Sequence, residues 1–129
     1  MADLATVYRA YLDCLNARDW DGLADHVDAE VRRNGEWLGV AGYRAMLEKD
    51  VAEIPDLVFR IELLAVEAPL VAARLRFDCA PRGIFLGLPV NGRRVSFAEN
   101  VFYQYSGGRI AEVWSLIDKA AIEEQLKAG

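Results

Sequence analysis

Residues 95–118, VSFAENVFYQYSGGRIAEVWSLID, hold the longest uninterrupted strand signal of the chain and run straight into a helix start. Val95, Phe97, Glu99, Val101, Tyr103 and Tyr105 alternate with Ser96, Ala98, Asn100, Phe102 and Gln104, a period of two rich in β-branched and aromatic side chains. Residues 110–117 read the same way, and Gly107-Gly108 tolerates the positive φ of a two-residue hairpin turn. An unbroken ladder from that turn sets Ser106 opposite Arg109, Phe102 opposite Val113 and Asn100 opposite Ser115. It predicts one face with Ala98, Asn100, Phe102, Val113, Ser115 and Ile117. The other face carries Phe97, Glu99, Val101, Tyr103, Glu112, Trp114 and Leu116. A three-residue loop would reverse one strand's partners, because the side-chain period is two.

The segments before this hairpin are helical first and extended afterwards. Residues 2–17 place Leu4, Val7, Tyr8, Tyr11, Leu12 and Leu15 at helical spacing, with Asp3 at the helix start. Residues 20–26 read as a second helix capped by Asp19, and residues 42–51 as a third that Ile54-Pro55 ends. Residues 31–34 form a brief strand before an Asn34-Gly35 turn. Strands follow at 57–66, 70–79 and 85–86, with Phe59, Ile61 and Leu63, and again Val71, Ala73, Leu75 and Phe77, as apolar sheet faces. A last helix covers 119–128. The expected class is α+β: three N-terminal helices packed on a strongly curved antiparallel sheet, a cone or half-barrel, with a short C-terminal helix. The mouth of such a cone is a natural ligand pocket.

At 129 residues the chain is one domain, and 53% hydrophobic content suits a globular core. A net charge of -5, with only the pairs Arg32-Arg33 and Arg93-Arg94, excludes a nucleic-acid footprint. Cys14 and Cys79 lack CxxC spacing, and one histidine cannot build a zinc site, so no metal is expected. No signal peptide or membrane span is visible, which points to a cytoplasmic protein.

The element order, the segment RGIFLGLPVNGRRVSF and the hairpin RIAEVWSLIDKAAIEEQL resemble the SnoaL-like polyketide cyclases, also called ester cyclases, within the nuclear-transport-factor-2-like superfamily. The resemblance implies a small dimer that pairs through the convex sheet face and closes rings by a cofactor-free aldol step. It also implies a carboxylate in the last strand and a histidine in the strand before it. Those places fall on Ser115 and Phe102 here, and neither side chain exchanges protons near neutral pH.

A chemical role therefore passes to other residues. Asp118, where the last strand becomes the last helix, is the candidate base; its competing reading is a helix N-cap. Asn100 and Ser115 would orient a carbonyl, Arg33 and Asn34 sit at the rim, and Phe102, Trp37 and Tyr11 form apolar walls. The expected activity is cyclisation or isomerisation of a small apolar carbonyl compound. The alternative is a ligand-binding or dimerisation module without turnover.

Overall fold

A computed structural model describes residues 3–128. Helix α1 spans Leu4–Asn16, started by Asp3, whose carboxylate accepts the Thr6 amide at 2.9 Å. It buries Tyr8, Tyr11, Leu12 and Leu15; position 2 of the expected helix lies outside the described residues.

The second N-terminal helix is not formed. Asp19 does accept the Gly22 amide at 3.1 Å, but only a 3₁₀ turn, Leu23–Asp25, follows before strand β1 begins at Val27. Seven residues containing Gly22 repay too little of the cost of helix nucleation. The next helix, α2, starts earlier than expected and spans Gly39–Glu53, ending before Pro55. The remaining helix, α3, spans Lys119–Lys127 at the other end of the chain.

Strands β1 (Val27–Arg33), β2 (Glu36–Trp37), β3 (Arg60–Glu67), β4 (Leu70–Cys79), β7 (Val95–Ser106) and β8 (Arg109–Ile117) form one open sheet in the order β2-β1-β8-β7-β4-β3. A separate small hairpin, β5 (Ile84–Phe85) and β6 (Leu88–Pro89), lies between β4 and β7 in the chain. The sheet is mixed, not purely antiparallel as expected, because β1 runs parallel to β8. No short turn links these two strands, so local turn chemistry imposes no direction on them.

The β7–β8 turn is as read: Gly107 and Gly108 take φ of 57° and 80°, and Ser106 faces Arg109. The ladder beyond it is not. Tyr105 pairs with Ile110 but Gln104 pairs with Glu112, so Ala111 is an extra bulged residue. Every later pair shifts by one: Phe102 faces Trp114, Val101 faces Ser115, and Asn100 faces Leu116. The inner face of the hairpin therefore holds Phe97, Glu99, Val101 and Tyr103 with Val113, Ser115 and Ile117. Asn100, Phe102, Trp114 and Leu116 face outwards, and Phe102 is 54% exposed.

A register shift in β3 likewise turns Leu63 out, at 63% exposure, while β4 buries Val71, Ala73, Leu75 and Phe77 as its alternation predicts. Along the inner side Phe59 meets Phe77 edge to face and Phe77 meets Phe97 at a tilt, at centroid distances of 5.6 and 5.4 Å. Helix α3 packs on β7, where Gln125 bonds both the amide and the carbonyl of Ser96 at 2.7 and 2.6 Å. No helix among the described residues is long and apolar enough to cross a membrane.

Candidate active site

Between α2, the inner sheet face and the β5–β6 hairpin lies a cavity of about 380 Å³. Phe59, Phe77, Phe85 and Phe97, with Met46, Ile54, Leu57 and Ile117, give it an apolar, largely aromatic wall. Lys49 and Glu53 from α2 also line it, as do Ile84 and Leu86 of the hairpin. A second, smaller hollow of about 50 Å³ is bounded by Tyr11, Tyr43 and Tyr103. Arg33, Asp50 and Glu99 line both spaces, so two carboxylates and a guanidinium stand at their junction.

Glu99 arrives on the inner face of β7 because the strand alternates, and the bulge at Ala111 sets Ser115 beside it. The Ser115 hydroxyl donates a hydrogen bond to the Glu99 carboxylate. Burial raises the proton affinity of Glu99; the Ser115 bond and the charge of Arg33 oppose that rise without cancelling it. Asp50 lies on the inward stripe of α2, seven residues after Tyr43 and three after Leu47. Its pKa is pushed up to about 6, first by burial and then by the charge of Glu99, with Arg33 pulling the other way. The Arg33 side chain has no hydrogen-bond or ion-pair partner among the described residues, which leaves its guanidinium donors available to the cavity.

All five tyrosines of the chain are buried. The Tyr11 and Tyr43 hydroxyls share a 2.7 Å hydrogen bond, and the Tyr8 hydroxyl donates to that of Tyr103 at 3.2 Å. Burial pushes Tyr43 up to about 12 and Tyr11 and Tyr103 well above the ordinary phenol range, so all three remain protonated at neutral pH. They offer hydroxyls at the floor of the site and no negative charge. No group of three or more His, Cys, Asp or Glu side chains among the described residues could hold a metal ion.

Of the residues singled out from the sequence, Arg33, Tyr11 and Ser115 gather at this junction. Asn100 and Phe102 do not: they lie on the outer face, where Asn100 accepts a hydrogen bond from Arg74 at 3.0 Å. The unbroken ladder could place them inside only by ignoring the bulge. Trp37, at 56% exposure on edge strand β2, donates from its indole to Glu30 at 2.6 Å. Asn34 is exposed at the end of β1, with its carboxamide on the main chain of Ser115. Asp118 caps α3, accepting the Ala121 amide at 3.2 Å, and is not among the residues lining the cavity.

Glu99 and Asp50 are the two groups that sequence reading passed over. Each left a signal. Glu99 is the one charge in the otherwise apolar series Phe97, Val101, Tyr103, and Asp50 falls on the helical stripe that Tyr43 and Leu47 define.

The family model for SnoaL-like polyketide cyclases matches residues 5–126. The chain belongs to that family. A crystal structure of a SnoaL-like polyketide cyclase from Agrobacterium tumefaciens is 53% identical, covers 98% of this chain and 99% of its own, and superposes with a TM-score of 0.97. TsrD from Streptomyces laurentii is similar at 26% identity over the full length of both chains, with a TM-score of 0.83. IdmH from Streptomyces antibioticus shares the fold at 18% identity and a TM-score of 0.83, covering 98% of this chain and 99% of its own. Among proteins of curated function, none matches. In this SnoaL-like chain the carboxylates of raised proton affinity line the cavity from β7 and α2, at Glu99 and Asp50, and Ser115 of β8 bonds Glu99.

Proposed function

We propose that the protein is an acid/base enzyme of the SnoaL-like type that binds a small apolar carbonyl compound and moves a proton next to the carbonyl. The observation that carries this reading is the meeting of two carboxylates of raised proton affinity with the unpaired guanidinium of Arg33 in an aromatic-walled cavity. The volume of about 380 Å³ falls within the range of small-molecule sites.

Glu99 is the general base. A carboxylate of raised proton affinity is better matched to abstraction near neutral pH than a solvated one. The C–H bond breaks, the proton passes to Glu99, and the electron pair spreads onto the carbonyl oxygen as an enolate. Negative charge thus moves from Glu99 to the substrate, and Arg33 faces it throughout. Return of the proton to a different carbon completes an isomerisation. Alternatively, attack of the enolate carbon on a second carbonyl, with the proton delivered to the new alkoxide, closes a ring. These residues suffice to hold and move the proton, so the reading needs no cofactor.

The test is exchange of α-hydrogens of small aryl ketones and keto esters in deuterated buffer, followed by NMR. Glu99→Gln is expected to lower the exchange rate by about 10²–10⁴-fold with the fold intact, while Asp118→Asn keeps the rate, because Asn caps a helix as well as Asp. The opposite result would move the base to Asp118. Probes that bind the wild-type protein without exchange would favour a binding module.

The outer face supports a second proposal, a homodimer. Phe102, Trp114 and Leu116 are exposed there on the adjacent strands β7 and β8, Leu116 at 72%, and Leu63 is exposed on the same face from β3, across β4. Beside them Glu62 is paired with Arg74 and Arg76 at 3.1 and 2.7 Å. An apolar row bordered by satisfied charge suits a second copy of this chain.

A further inference from the structure

Strand β1 leaves the sheet at the point where β8 reaches the site. Its last ladder partner is Arg33 opposite Val113, and the Asn34 amide donates to the Val113 carbonyl at 2.8 Å. At Asn34-Gly35 the chain turns away through left-handed φ values of 49° and 83°. The next residue of β8 whose main chain points to that side, Ser115, two beyond Val113, therefore faces no main chain there.

The Asn34 side chain fills the place. Its Oδ1 accepts the Ser115 amide at 2.9 Å, and its Nδ2 donates to the Ser115 carbonyl at 3.3 Å. The carboxamide acts as one more peptide group of the parallel ladder. Because the Ser115 N–H points to Asn34, it cannot also bond β7, so the Val101–Ser115 pair is a non-hydrogen-bonded one. The Ser115 N–H and C=O thus both take their partner from this one side chain, and the Ser115 hydroxyl in turn bonds Glu99.

We propose that Asn34 is a positioning residue: its carboxamide holds Ser115, and through the Ser115 hydroxyl it orients the Glu99 carboxylate toward the cavity. This rests on the reading of Glu99 as the proton-transfer group. The same residue is joined directly to Arg33 in the chain, so one short turn places both the guanidinium and the hydroxyl that flank Glu99. An Asn-Gly turn needs no side-chain amide; a second function is served by choosing Asn over Gly at that φ.

The experiment is an NMR titration of Glu99 in the full chain labelled with ¹³C-glutamate, the resonance assigned with Glu99→Gln. The charged and titratable groups around it are Arg33 from β1, Asp50 and Tyr43 from α2, Tyr8 and Tyr11 from α1 and Tyr103 from β7. None of these is altered in the variants. Asn34→Gly keeps the turn and removes the carboxamide. Ser115→Ala removes the hydroxyl, and its midpoint is expected to rise by about one pH unit, the scale of a lost hydrogen bond to a charged group. Asn34→Gly is expected to move in the same direction, and the double variant to match Ser115→Ala alone.

A merely structural Asn34 would lower the melting temperature and leave the titration where it was; that result overturns the proposal, as do additive shifts in the double variant. An unmoved midpoint in Ser115→Ala would break the Ser115–Glu99 link and overturn this proposal, whereas the reading of Glu99 as the base stands or falls with the exchange rate of Glu99→Gln. Amide exchange in the unaltered protein gives an independent check: the Ser115 N–H is expected to be protected, and more than about tenfold faster in Asn34→Gly if that variant folds. An unprotected Ser115 amide in the unaltered protein overturns the proposal by itself.

Discussion

The two sides of the β7–β8 region treat the same side-chain chemistry in opposite ways. On the outer face Glu62 stands in solvent between Arg76 and Arg74, and their hydrogen bonds hold its carboxyl below the usual range. On the inner face Glu99 has a hydroxyl partner and a nearby guanidinium but no ion pair, and burial holds its carboxyl above that range. A glutamate that has found its arginines is a stable fixture. One kept from water without full compensation can pass its proton on, which is the condition for general acid/base work. The arginines differ in the same sense: Arg74 and Arg76 are engaged by Glu62, whereas the Arg33 side chain has no partner among the described residues and lines the cavity.

Exchanging one arginine on each face tests the contrast most severely. Arg33→Met is expected to cut α-hydrogen exchange by about 10²-fold, the scale of removing one charge-stabilising donor, and to raise the Asp50 titration midpoint above its present value. Arg74→Met is expected to leave exchange unchanged and to alter stability by less than about 1 kcal/mol, as solvent-exposed pairs do. Equal losses from the two variants would erase the distinction between the faces.

The outer face is sharpened next by Phe102→Glu. If this surface binds a second copy, the charge weakens the dimer at least about tenfold, roughly 1.4 kcal/mol, with exchange activity retained in the monomer. Sedimentation of both proteins across a concentration series reads this directly. A dimer of unchanged strength would place the interface elsewhere.

The smallest effect concerns Asp50. Its carboxyl titrates near 3.8 when unfolded and at about 6 in the folded chain. The folded state therefore holds the proton more tightly, and the associated stability is complete below pH 3.8 and lost as pH rises to about 6. Asp50→Asn is expected to flatten the stability profile across that window. It should also raise stability at pH 7 by about 1 kcal/mol, a figure reduced for solvent screening of a partly exposed group. Denaturant titrations at several pH values check both parts, and an unchanged slope would mean that Asp50 is not perturbed.

Much of the architecture is legible in the sequence. The helix-then-strand order, the Gly107-Gly108 turn and the alternation of β4 are each local, since a residue's neighbours along the chain decide them. The segment at 20–26 failed for an equally local reason, a glycine in a helix too short to nucleate. Of the residues lining the two hollows, Arg33 and Tyr11 stand out in the sequence by a strand end and an inward helix stripe, whereas Asp50 and Glu99 depend on burial that the sequence does not show.

By itself the sequence determined the α+β class and the hairpin with its turn. Tertiary structure alone decided which side of the hairpin faces the cavity, because a single bulged residue, Ala111, displaces the register and carries no strong signal of its own. It alone decided that β1 lies parallel to β8, which sets Arg33 and Asn34 beside Ser115, residues far apart in the chain. The proton affinity of Glu99 was settled there too, since desolvation is set by everything that surrounds a group and not by its neighbours in sequence.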